Sequence, residues 1–156
     1  MEITGEAMMN LSAHFTLAEL IASDWAERNL VDNTPPHEIV ENLKRLAAKL
    51  EEVRTLLGFP IHINSGYRCS KVNKGIGGKP TSSHVQGLAA DIKCPQFGTP
   101  EQVCRAIADS GIHFDQLIME FATPDGRGWT HIGIGAKNRQ QILTINSFGA
   151  HNGIHI

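Results

Sequence analysis

With 156 residues, 14 Lys and Arg against 16 Asp and Glu, and a formal net charge of −2, the chain has the size of one domain and no charge excess for a polyanion. No basic stripe marks it for nucleic acid, there is no acidic tail, and no apolar run approaches the ~20 residues of a membrane-spanning helix. Three cysteines, Cys69, Cys94 and Cys104, are an odd count that argues against a disulfide framework. They read best as small buried thiols; nothing supports a Cys69–Cys94 bridge.

A single domain over residues 1–156 is expected, long enough to bury roughly 70% of its unfolded surface. Residues 1–10 read as a loose leader. The first fifteen residues lack a charged start and an apolar run, so no secretory signal is expected. Thr16 and Glu19 make a capping box, with Phe15 and Leu20 at the staple positions, and predict a helix to about Asn29 with Trp25 in the core. Thr34 followed by Pro35 and Pro36 opens a longer helix. Its apolar stripe runs through Ile39, Val40, Leu43, Leu46, Ala47, Leu50, Val53 and Leu57, until Gly58 and Pro60 stop it.

Residues 60–65 read as a strand, with His62 on its exposed side, delivering Ser65-Gly66-Tyr67-Arg68 at its end. Residues 74–80, rich in Gly and Lys, read as a flexible loop and not a phosphate loop, since no Lys-Ser/Thr follows. Thr99, Pro100 and Gln102 start another helix, ending near Ser110-Gly111. Strands are expected over 115–121, 129–134 and 141–147, with a turn at 124–128. The tail with His151 and His155 reads as a frayed terminus.

The chemistry concentrates in Ser82-Ser83-His84-Val85-Gln86-Gly87-Leu88-Ala89-Ala90-Asp91. Imidazole nitrogen and carboxylate oxygen are preferred Zn²⁺ ligands, and a catalytic site takes three protein ligands and leaves one position for water. His84 and Asp91 are too far apart for one helical face, so the pattern suits a loop ligand, a turn at Gly87 and a strand ligand. His131, in Trp129-Thr130-His131, supplies the third. The Ser82 hydroxyl either binds substrate or caps the turn.

These residues resemble the zinc D-Ala-D-Ala carboxypeptidases and phage endolysin peptidases, through Ser-x-His-x-x-Gly-x-Ala-x-Asp at Ser82, His84, Gly87, Ala89 and Asp91, and the later Trp-x-His. Ser65-Gly66-Tyr67-Arg68 and Asp115-Gln116-Leu117-Ile118-Met119-Glu120 extend the resemblance from about His14 to about Gly135. It implies an α+β fold of the D-Ala-D-Ala carboxypeptidase and Hedgehog kind, with N-terminal helices packed on a small antiparallel sheet that carries the zinc. It also implies a zinc peptidase acting on peptidoglycan stem peptides. A monomer is expected, and the expected lack of a secretory signal fits equally a cytoplasmic protein or a phage-encoded one released to the wall. Arg68, alone an ordinary surface arginine, becomes an active-site group whose planar fork suits a carboxylate or oxyanion. Tyr67 and Ser82 become substrate-binding residues. The reading from another class is a non-catalytic wall-binding or phage structural module stapled by zinc.

A peptidase also needs a carboxylate to move the proton. Asp115, Glu120 and Asp125 are candidates. If Asp125-Gly126 forms a two-residue turn, Glu120 opposes His131 and shares its face, whereas Asp115 faces away and Asp125 sits at the tip. Glu120 is therefore expected as general base and acid. Related enzymes often carry this residue three positions before the last histidine, where this chain has Gly128.

Overall fold

The computed structural model describes residues 9–156. Most of the expected leader over 1–10 thus lies outside the described residues, but its last two are tied down. Leu17 N donates to Met9 O at 2.9 Å, and Asn10 bridges Thr16.

The elements in order are α1 (Leu17–Ile21), α2 (Asp24–Arg28), α3 (His37–Leu57), β1 (His62–Ser65), α4 (Ser70–Gly75), a 3-10 turn (Ser83–Gln86), β2 (Ala89–Lys93), α5 (Pro100–Ala108), β3 (Gln116–Glu120), β4 (Trp129–Gly133), β5 (Gln141–Asn146) and β6 (Gly149–Asn152). The fold is mixed α+β. The chain divides into two compact units, Met1–Glu51 with Ser65–Ala90, and Glu52–Asn64 with Asp91–Ile156. The boundaries fall inside α3, before the last residue of β1 and inside β2.

In the first unit, the capping box of Thr16 and Glu19 is present, and Phe15 and Leu20 are both buried. The helix expected to reach Asn29 is instead two. Ala22 is extended, and the Ser23 side chain accepts from Ala26 N, so a second N-cap ends one helix and starts the next. Trp25 packs against a small core of Ala26, Val31 and Val72. A side chain at Gly75 would strike its ring at 2.1 Å, so that glycine permits the packing.

Helix α3 begins at His37, not at a Thr34 cap. Thr34 and Pro35 precede prolines and stay out of the helix, and Pro36 O receives Ile39 N and Val40 N at 3.0 and 3.2 Å. The stripe of Val40, Leu43, Leu46, Ala47, Leu50, Val53 and Leu57 is at most 5% exposed. At about 1.5–3 kcal/mol for each large side chain, its burial outweighs any propensity term. Gly58, at φ 76°, closes the helix and donates to Arg54 O at 2.8 Å. The loop expected over 74–80 loses its first two residues to α4, a helix the sequence pattern did not announce.

In the second unit, α5 carries the expected capping box of Thr99 and Gln102. The strands form one six-stranded sheet in the order β1-β2-β4-β3-β5-β6. The sheet is mixed, not antiparallel: β3 pairs antiparallel with β4 and parallel with β5. The cause is topological. After β4 lies down beside β3, residues 134–140 carry the chain past β3 to its other edge, where β5 must run with it. Asn138 and Gln140 take positive φ to make that turn, and Arg139 is clamped to Asp115. The tail is not frayed. It folds back as β6 along β5, and Thr144 Oγ1 donates to Gly153 O at 2.7 Å and accepts from His155 N at 3.0 Å.

Strand alternation gives this sheet two chemically different faces. Leu117, Met119, Thr130 and Ile132 are buried on one, which α5 covers, with Cys104 Sγ 3.2 Å from Thr130 Oγ1. Ile118, Glu120, Trp129 and His131 stand on the other. No helix among the described residues is long and apolar enough to cross a membrane.

Candidate metal centre

His84 sits on the 3-10 turn and is 3% exposed. The Ser82 hydroxyl oxygen accepts from His84 N at 3.2 Å, so the capping role expected of Ser82 is present. Gly87 ends the turn at φ 70°, where a Cβ would meet Ile39 Cγ2 at 2.9 Å. His84 Nδ1 lies 2.7 Å from Gly66 O. A carbonyl only accepts, so Nδ1 carries the hydrogen and Nε2 is the nitrogen that could ligate a metal ion, as in the outer-shell contacts of metal-bound histidines.

Asp91 on β2 and His131 on β4 are 9% and 8% exposed, with His131 Nδ1 3.0 Å from Asp91 Oδ1. Donor atoms ~2.0–2.1 Å from a tetrahedral ion stand about 3.3 Å apart, so this spacing suits two ligands of one ion. One ligand atom from each of His84, Asp91 and His131 lies within 4.8 Å of the others, and all three residues are buried. Such a group could hold a metal ion. Two imidazole nitrogens and one carboxylate oxygen match zinc chemistry, and a buried carboxylate itself calls for a cation. Three donors is the number found in catalytic sites; structural sites are closed by four and favour cysteine.

A sequence model of the family described as Peptidase M15 matches residues 13–132 of the chain. This chain belongs to the peptidase M15 family. Comparison with curated proteins gives no match. Family membership and the His84–Asp91–His131 group together mark a metallopeptidase.

The remaining expected residues fall into place unequally. The hairpin register differs by two from the arithmetic: Glu120 opposes Trp129, and His131 opposes Ile118. The turn is Thr123–Gly126, where Gly126 N donates to Thr123 O at 3.0 Å, so it centres on Pro124-Asp125. A shift of two preserves the face, because side chains alternate with period two. Glu120 therefore stays beside His131 as a diagonal neighbour, Oε1 to Nδ1 4.0 Å, with its side chain 19% exposed.

Asp115 is elsewhere. Its carboxylate receives Arg139 Nε and Nη2, both at 2.9 Å, and the Arg139 guanidinium holds it below the usual carboxylate range. Asp125 is exposed at the turn, lowered first by the Thr123 hydroxyl and then by Arg127. Gly128, at φ 90°, has no room for a side chain: a Cβ would lie 2.5 Å from Glu120 O.

Arg68 is half-buried; its N–H donates to His84 O at 3.1 Å and Nη2 to Ser82 Oγ at 3.4 Å. Tyr67 is buried, which raises its phenol pKa, and Tyr67 N donates to Leu20 O at 2.7 Å. The sequence reading missed Asn33. Its buried amide donates to Ile21 O and Tyr67 O at 2.8 and 3.1 Å and accepts from Cys69 N at 2.8 Å, gripping the backbone on both sides of Arg68. An asparagine before a Thr-Pro-Pro turn looks like turn chemistry, and nothing local separates the two roles. All three cysteines are free.

Proposed function

We propose that the chain is a single zinc peptidase domain that hydrolyses peptide bonds in the stem peptides of bacterial peptidoglycan. The observation that carries this is a buried three-donor group with a partly exposed carboxylate, Glu120, 4.0 Å from one donor. His84 through Nε2, with Asp91 and His131, would hold the ion. A zinc ion there supplies Lewis-acid polarisation of the scissile carbonyl and a water of lowered pKa. Glu120 takes the proton of the attacking water on its carboxylate and passes it to the leaving amine nitrogen. Arg68, anchored through its backbone to His84, directs its guanidinium to the oxyanion or to a substrate carboxylate. The Ser82 oxygen accepts from both His84 N and Arg68, which leaves its hydroxyl hydrogen to donate to substrate. Tyr67, only 5% exposed, offers substrate little surface.

The test is digestion of purified peptidoglycan by zinc-loaded protein, with and without a chelator, reading released fragments by mass. Chelator-sensitive release is expected; free D-Ala marks a carboxypeptidase, and larger peptides an endopeptidase. Glu120→Gln should keep zinc and lose about 10²–10⁴ in rate, the range for a general base. His84→Ala should lose both zinc and activity. A fully active Glu120→Gln would remove the proposed base, and zinc-containing protein that releases nothing would favour a wall-binding module.

A further inference from the structure

The second unit holds one backbone irregularity beside the proposed base. Phe121, directly after Glu120, lies in the left-handed region at φ 51°, which a bulky residue rarely adopts, and is 49% exposed. In a regular strand Phe121 would point away from the Glu120 face. Here its ring meets that of Trp129, centroids 5.6 Å apart at 42°. Trp129 opposes Glu120 and lies two residues before His131, so its side chain stands on the face of both. The left-handed turn thus brings an apolar ring onto Trp129, on the sheet face that also carries Glu120. Trp129 Nε1 is buried without a hydrogen-bond partner among the described residues, an orphaned donor in the same corner. Left-handed conformations of bulky residues collect at ligand clamps, where surrounding structure enforces them.

We propose that Phe121, backed by Trp129, is the wall of the subsite for the substrate residue that follows the scissile bond, and that this subsite takes an apolar side chain. The inference rests on the peptidase reading above. Glu120 must reach the leaving nitrogen, and the residue built on that nitrogen then lies one strand step from Glu120, where Phe121 stands.

The experiment uses zinc-loaded full chain and synthetic peptides containing the bond cut in peptidoglycan. The residue after that bond is varied as glycine, alanine and norvaline in the natural stereochemistry. For the wild type, kcat/KM should rise about fourfold for each added methylene, the factor expected when a CH₂ is buried. Phe121→Asn keeps a residue tolerant of the left-handed region while removing the ring, and its rise should fall below about twofold for each methylene. Phe121→Tyr keeps the ring and should restore the slope. The same difference in slope is expected for binding of these peptides to metal-free protein by calorimetry, where nothing is cut. A Phe121→Asn slope equal to the wild type, or a flat series in a wild type that cuts, overturns the subsite and leaves the peptidase reading standing. A wild type that cuts none of the peptides removes the peptidase reading, and the subsite with it.

Discussion

Gly128→Ala isolates how the β3–β4 hairpin holds its carboxylate. A Cβ at Gly128 would lie 2.5 Å from Glu120 O and 2.6 Å from both the Cα and N of Ala122. All three are backbone atoms, so no side-chain rotation relieves the contact. The residue also sits at φ 90°, which costs an alanine about 1–2 kcal/mol. Overpacking adds about 1–3 kcal/mol. The sum is about 3 kcal/mol, or roughly 6–12 °C in melting temperature for a chain of this length. Gly126→Ala is the matched control. Its φ is 95°, but the nearest atom to its Cβ is Thr99 Cγ2 at 3.8 Å, so it pays only the conformational cost. Thermal scans of the two variants separate the terms. Because the struck atoms flank Glu120 and Phe121, Gly128→Ala should also lose at least about tenfold in kcat, as misplacement of a catalytic group does. Equal melting temperatures for the two variants would refute the close approach and the account of why no side chain occupies this position.

Three further outcomes are expected. The Asp115 carboxyl is held low by Arg139, so it contributes stability above the ordinary carboxylate pKa of ~3.9 and loses it as pH falls through the lower folded value. Melting curves taken from neutral pH down past that range should therefore fall less steeply on the acid side for Asp115→Asn than for the wild type, and an unchanged slope would contradict the pairing. Zinc at ~1,000 times its Kd should stabilise the wild type by about 4 kcal/mol, roughly 8–16 °C in melting temperature, and His84→Ala almost not at all. Burial pushes the Cys104 thiol up to about 12, and Cys94 is also buried, so a thiol reagent at mildly alkaline pH should modify half-buried Cys69 first and all three cysteines only after unfolding.

The hairpin shows where local inference holds and where it fails. Opposing Glu120 to His131 assumed that Asp125-Gly126 was the turn, yet the turn closes at Thr123–Gly126 and the pairing slips by two. The face survived because it depends only on parity, whereas the opposing partner depends on the loop. The break between α1 and α2 has a similar origin: Ser23 competes for a cap inside an otherwise helical stretch, and the choice is made by packing around Leu20 and Ala26. Asn33 was invisible for another reason, since its partners Ile21, Tyr67 and Cys69 are brought to it only by the fold.

By itself the sequence determined the family, the donor chemistry and the long elements. Metal-ligating side chains, capping boxes and apolar stripes are properties of residue type and short spacing, and these survive whatever the rest of the chain does. Only the tertiary structure decided that His84, Asp91 and His131 converge, that the Gly66 carbonyl fixes which nitrogen of His84 carries hydrogen, that β5 runs parallel to β3, and that the Phe121 ring turns onto Trp129. Each of these depends on contacts between residues distant in sequence or on a backbone dihedral enforced by its surroundings, and no local pattern encodes either.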